Sequence, residues 1–136
     1  MYLVDTSVWI DYLRGQSGRH VAFLDSLLDN PLATGLCNAV YMEILQGARD
    51  SASFERLQGY FSTQRFYDFV DAGQAHESAA QLFLTSRQKG FTVRSTLDCL
   101  IAQCAIEHNL VLLHNDRDYV GLGKSTSNLR QHHFLD

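Results

Sequence analysis

Four acidic side chains in this chain stand at places where a binding pocket can be built. Asp5 follows the apolar run Tyr2–Val4, and Asp116 follows "LVLLH", with Asn115 beside it and Asp118 one residue beyond Arg117. Asp98 falls in the first turn of a helix predicted over "STLDCLIAQCAIEHN", and Glu43 about one turn into the helix predicted over "NAVYMEILQGA". Carboxylates gathered in one pocket repel, which raises their pKa values and costs stability unless a cation compensates them. Carboxylate oxygens without Cys or His partners suit a hard cation, so the pattern points to Mg²⁺ or Mn²⁺ rather than Zn²⁺. Such a pocket can accept a phosphodiester, activate a water as nucleophile and stabilise charge on the leaving oxygen. Hydrolysis of a nucleic-acid backbone is the reaction class that follows.

Each acid also has a plainer reading. Ser95 and Asp98 make a capping-box pattern, Asp5 can be an N-cap, Asp116 a turn residue and Glu43 a solvated helix acid. Taken singly these readings are the stronger ones; the four acids together favour a site.

The elements that would position them alternate along the chain. "MYLV" reads as a short strand running straight into a helix over "DTSVWIDYLRG", capped by Thr6 or Ser7 and stopped by Gly15. A helix over "RHVAFLDSLLD" leads to a strand over "LATGLC" and then to the Glu43 helix, whose apolar face carries Val40, Tyr41, Ile44, Leu45 and Ala48. Another helix is predicted around "ASFERLQGYFS", a strand over "RFYDFVD", a long helix over "QAHESAAQLFLTSRQKG", and then the Asp98 helix. "LVLLH" is apolar throughout, as a strand covered on both faces must be, and "HHFLD" is a candidate edge strand. Alternation of this kind predicts βαβ units, a mostly parallel sheet and helices on both sides. Ligands of such sheets bind beyond the carboxyl ends of the strands, which is where Asp5 and Asp116 stand.

At 136 residues the chain fits one domain, 1–136, and with 46% hydrophobic and 19% charged residues it has the composition of an ordinary globular protein. No apolar run approaches the ~20 residues of a membrane span. The opening "MYLVDTSVWI" lacks a basic leader, and the three cysteines are odd in number without a CxxC spacing, so a reduced, cytoplasmic protein is expected. None of the six histidines shows ligand spacing. A formal net charge of −4 argues against holding nucleic acid by a basic surface alone.

"YLVDTSVWIDYLRG", "MEILQGA", "LDCLIAQCA" and "LLHNDRDY" together resemble the four motifs of PIN-domain nucleases, and among them the toxins of VapBC toxin–antitoxin pairs. The resemblance spans nearly the whole chain. It implies a three-layer α/β/α sandwich and a metal-dependent endoribonuclease, with Asp5, Glu43, Asp98 and Asp116 as the quartet that binds Mg²⁺ or Mn²⁺ and positions the attacking water. By the same resemblance Asp118 is an additional acid, and Thr6, Ser7 and Asn115 orient ligands or waters. It implies three partners: an RNA substrate, a cognate VapB-type antitoxin and a second copy of the chain in a homodimer. Phe54, Leu57, Tyr60 and Phe61 form a candidate sticky helix face, against a plainer reading as core. Arg14, Arg49, Arg94, Arg117 and Lys124 are candidates for touching RNA phosphates, against a plainer reading as solvated charges.

Other functions fit the same class of fold. An aspartyl-phosphate phosphatase wants a second acid two residues after Asp5, where this chain has Ser7. A phosphoacceptor receiver module wants its acceptor near mid-chain and a lysine after the last core strand, where this chain has Asn115 and Asp116. A non-catalytic partner-binding domain would keep the fold without holding a metal.

Overall fold

Short apolar strands separated by helices can bury both faces only by lying side by side, and they do so here. The computed structural model describes residues 1–136 and contains β1 (Tyr2–Val4), β2 (Thr34–Leu36), β3 (Arg65–Phe66), β4 (Val111–Leu113) and β5 (Gln131–His132). All neighbouring strands pair parallel in the order β3-β2-β1-β4-β5, with Leu3 opposite Gly35 on one side and Leu112 on the other. Between the strands run α1 (Thr6–Leu13), α2 (Arg19–Leu27), α3 (Asn38–Gln46), α4 (Ser51–Phe61), α5 (Ala72–Gln88), α6 (Thr96–Glu107) and α7 (Arg117–Ser125).

The chain winds outward from β1 to β3 and then returns to β4 and β5. Right-handed crossovers place the helices of these two halves on opposite faces. Their packing agrees: α1 lies against α2 and α3, and α3 against α4, while α5 packs on α6 and α7. The result is the expected three-layer α/β/α sandwich, and its sheet is parallel throughout. No helix is long and apolar enough to cross a membrane.

Leu3, Val4, Leu36, Leu112 and Leu113 are fully buried in the sheet, and Trp9 of α1 packs its ring edge-on to Phe61 of α4 at 4.9 Å between centroids. Burial at roughly 25 cal/mol per Å² of apolar surface makes this layer the main stabilising term. Gly15 and Gly90 take positive φ of 69° and 86° just past α1 and α5, a backbone state that costs a residue with Cβ. The three cysteines are free and buried, as expected.

Several expected boundaries differ. The strand over "RFYDFVD" is only Arg65–Phe66, because the backbone beyond it bonds to α6 instead: His108 Nε2 meets the Asp68 carbonyl at 2.7 Å, and the Val70 N–H donates to Glu107 at 3.1 Å. The last strand is Gln131–His132, so most of "HHFLD" lies outside it. Helix α7 was not anticipated after "HNDRDY"; Gly121 and Gly123 weaken its pattern, but Tyr119 and Leu122 anchor it in the core. The helix face over Phe54–Phe61 splits: Phe61 is fully buried, while Phe54 and Tyr60 are exposed.

Candidate functional site

The sheet reverses its winding between β1 and β4, and at such a switch point the carboxyl ends of the strands leave a crevice. The Asp5 N–H continues the ladder to the Leu113 carbonyl at 2.9 Å, and the next groups of each strand diverge into α1 and α7. Both helices begin on a carboxylate. Asp5 is the N-cap of α1, accepting the Ser7 N–H at 2.9 Å, and Asp116 is the N-cap of α7, accepting the Asp118 N–H at 2.9 Å. Of the three caps considered from sequence, Asp5, Thr6 and Ser7, it is Asp5 that caps α1, because directly after the strand its backbone is still extended, with φ −72° and ψ 157°.

Those two hydroxyls serve the acids instead. Ser7 Oγ donates to Asp5 Oδ2 at 2.6 Å and accepts the Asn115 N–H at 2.9 Å, tying the ends of β1 and β4 together. Thr6 Oγ1 donates to Glu43 Oε1 at 2.7 Å, which draws the α3 acid toward the strand ends. Asn115 contributes its backbone to this network and keeps a half-buried side chain.

Asp98 does not complete a capping box. Ser95 Oγ accepts the Leu97 N–H, while the Asp98 carboxylate turns inward and receives the Tyr119 hydroxyl at 3.3 Å. The same fully buried hydroxyl donates to Asp5 Oδ1 at 2.7 Å, so one phenol stands between the acids of the first and third motifs. Oxygens of Asp98, Asp116 and Asp118 lie within 4.8 Å of one another. Asp118 therefore belongs to the tightest group, Asp5 joins it through Tyr119, and Glu43 joins through Thr6.

The electrostatics follow from this crowding. Asp98 is 9% exposed, and burial together with the charges of Asp5, Asp116, Asp118 and Glu43 pushes its carboxyl up to about 7. Burial likewise raises Glu43, opposed by the Thr6 hydrogen bond and aided by the Asp5 and Asp116 charges. Tyr119 is raised well above its ordinary value by burial and the adjacent acids, so it stays a neutral donor. Arg94 is the cation at the rim, with Nε 3.1 Å from Asp118 Oδ2 and Nη2 3.4 Å from Asp116 Oδ1.

These donors fit a hard divalent cation. Asp98 Oδ2, Asp116 Oδ2, Asp118 Oδ1 and Glu43 Oε2 accept no hydrogen bond from the protein, so each of these four acids keeps an oxygen available to a metal, whereas both oxygens of Asp5, expected from sequence to be a ligand, accept hydrogen bonds from Ser7 and Tyr119. No sulfur or imidazole shares that group. His114, read from sequence as without a role, stays outside it but holds it in place. Its buried ring accepts the Asp116 N–H at Nδ1 (3.1 Å) and meets Gln131 Oε1 at Nε2 (2.7 Å), and burial lowers its pKa. A roughly 300 Å³ apolar cavity between α5 and α6 is separate; its α6 residues Thr96, Cys99 and Leu100 lie off the face that carries Asp98.

Sequence reasoning missed Tyr119 and His114. The spacing from Asp116 to Tyr119 is one helical turn, a signal that becomes readable only once α7 is recognised. His114 ends the "LVLLH" strand, and its two partners come from the following turn and from β5, which no local pattern pairs with it.

Comparison with known proteins agrees with this geometry. The PIN domain family model matches residues 2–124. The chain is a member of the PIN-domain family. Ribonuclease VapC11 of Mycobacterium tuberculosis is 34% identical over 131 residues, covering 93% of this chain and 95% of that protein. VapC ribonuclease Mb1587 of Mycobacterium bovis matches with the same identity and coverage. Among solved structures, VapBC2 from Rickettsia felis, bound to a DNA fragment from their promoter, superposes with a TM-score of 0.71 at 22% identity over 98% of each chain. FitAcB from Neisseria gonorrhoeae gives 0.70 at 20% identity over 96% of each chain. At those identities the solved structures establish the PIN fold for this chain and nothing finer.

Proposed function

We propose that this PIN-domain protein is a Mg²⁺- or Mn²⁺-dependent endoribonuclease acting in the cytoplasm as the toxin of a type II toxin–antitoxin pair. The observation that carries the reading is the meeting of Asp98, Asp116 and Asp118 within 4.8 Å at the strand ends, with Asp5 and Glu43 tied in by hydroxyls. Relatives named as VapC ribonucleases, matched over nearly the full length, support the substrate class.

In this reading Asp98, Asp116, Asp118 and Glu43 offer their free oxygens to the metal, and Asp5, held by Ser7 and Tyr119, completes the acidic wall. The bound cation supplies a water nucleophile at neutral pH and stabilises charge on the phosphodiester oxygens. Asp98, raised to about 7, is the group whose proton a metal must displace, while burial also raises Glu43. Tyr119, Ser7, Thr6 and His114 hold the carboxylates at fixed positions, which spares reorganisation when charge develops.

The partner is a VapB-type antitoxin, and the surface offered to it is the groove of about 310 Å³ lined by Leu13, Ala48, Arg49, Arg56, Leu57 and Tyr60. Leu13 and Tyr60 are 38% and 45% exposed there, the kind of apolar surface that a partner covers. Self-association as a homodimer belongs to the same proposal, with the apolar cavity between α5 and α6 as a surface a second copy can close.

The deciding experiment incubates purified protein with a pool of small RNAs and Mg²⁺ or Mn²⁺, beside an EDTA control and Asp98→Asn, and maps the new RNA ends. Discrete metal-dependent cuts absent from both controls are expected. Equal cutting by folded Asp5→Asn and Asp98→Asn proteins refutes the site.

A further inference from the structure

Arg94 stands in the connection between α5 and α6, and it is the basic side chain that touches the acid cluster. Its main-chain N–H and its Nε both donate to Asp118 Oδ2, at 3.0 and 3.1 Å, and Nη2 reaches Asp116 Oδ1 at 3.4 Å. Of the other candidates, Arg117 donates to the Asp136 carbonyl, Lys124 lies over the Phe91 ring and Arg49 lines the groove beside Leu57 and Tyr60. The Arg94 side chain is nevertheless 73% exposed. Only one edge of the guanidinium is anchored, through Nε and Nη2, and Nη1 has no acceptor in the protein.

A cation enclosed among acids is closed to anything outside them. One held along a single edge at the open side of the cluster is placed to meet something arriving from solvent. A phosphodiester approaching five carboxylates meets repulsion, and a guanidinium fork matches two phosphate oxygens at once. With a divalent cation in the site, Asp116 has a second counter-ion, which frees Nη2, while the hydrogen bond from Nε to Asp118 Oδ2 keeps the head group in place. Asp118 Oδ1 remains available to the metal in this arrangement, so anchoring the arginine does not cost a ligand oxygen.

We propose that Arg94 is a phosphate-binding residue of the nuclease: anchored on Asp118, it grips the RNA backbone at the edge of the metal site. This rests on the nuclease reading above, and it assigns Asp118 a second task as the arginine's anchor.

The test is RNA binding without cleavage. Protein loaded with Ca²⁺ is titrated against a fluorescein-labelled single-stranded RNA of mixed sequence, and anisotropy is followed over a series of KCl concentrations. Arg94→Gln is expected to weaken binding about 10-fold at low salt, as loss of a charge-assisted hydrogen bond does. It is also expected to flatten the slope of log K against log[KCl] by about 0.7, the contribution of one phosphate contact to a single strand. Arg94→Lys should restore the slope, keeping the charge, but not the full affinity, because it lacks the fork. Mn²⁺ affinity, measured on the same proteins by calorimetry, separates the competing role. If Arg94→Gln tightens Mn²⁺ while RNA affinity and slope stay at wild-type values, Arg94 is a counter-ion only, and the assignment falls while the nuclease reading stands. If the wild-type protein binds no RNA with any divalent cation, both fall.

Discussion

Replacing Asp98 by asparagine keeps the shape of the side chain and removes one ionisable group from the crowded end of the sheet. In the folded metal-free protein Asp98 titrates near 7, against an ordinary 3.8, chiefly because it is buried and then because four other acids surround it. Its folded-state value is raised, so the protonated form contributes stability that is fully present below about pH 4 and lost as pH rises through about 7. A displacement of roughly three pH units at ~1.4 kcal/mol each sets a ceiling of about 4 kcal/mol. Solvent at the open rim screens part of the repulsion, which leaves about 2 kcal/mol as the working figure. For a chain of 136 residues with unfolding entropy near ~2.1 cal/mol/K per residue, that is about 7 °C in Tm. Calorimetry in EDTA should therefore show Asp98→Asn melting about 7 °C above wild type at pH 8, with the two curves converging near pH 4. Adding Mn²⁺ at about 100 times its Kd should then lift wild type by ~2.7 kcal/mol and the variant by much less. A variant that melts at or below wild type at pH 8, or a difference that does not change with pH, would refute the crowding argument.

Three further outcomes are expected. Tyr119→Phe removes the hydroxyl shared by Asp5 and Asp98 and should lower Mn²⁺ affinity about 10- to 100-fold in a calorimetric titration, as loss of an orienting partner does. Ser7→Ala cuts the tie between Asp5 and the Asn115 backbone; RNA cleavage should fall by a comparable 10- to 100-fold while the far-ultraviolet circular dichroism spectrum is retained. Gly35→Ala puts a Cβ against the Tyr67 ring and 3.1 Å from the Arg65 carbonyl between β2 and β3, and urea denaturation should show it destabilised by about 1–3 kcal/mol.

The layer order and the address of the site were legible in the residues. Alternating apolar runs and amphipathic stretches dictate βαβ units, and a parallel sheet places Asp5 and Asp116 at one rim because both close a strand. Asp98 was ambiguous: "STLD" satisfies a capping box locally, and only the approach of α7, bringing the Tyr119 hydroxyl, turns its carboxylate inward. Asp118, ranked from sequence below the four acids, is in the tightest group because α7 begins on Asp116 and its first turn folds back over the strand ends. The same turn makes Arg94 part of the site across 24 positions of chain, a pairing invisible to any local pattern. Periodicity and strand ends report what a residue's near neighbours demand, so the sequence by itself determined the fold class and the acidic rim. Which oxygens face one another, which hydroxyls hold them and which cation guards them depend on contacts between distant segments, and only the tertiary structure decided those.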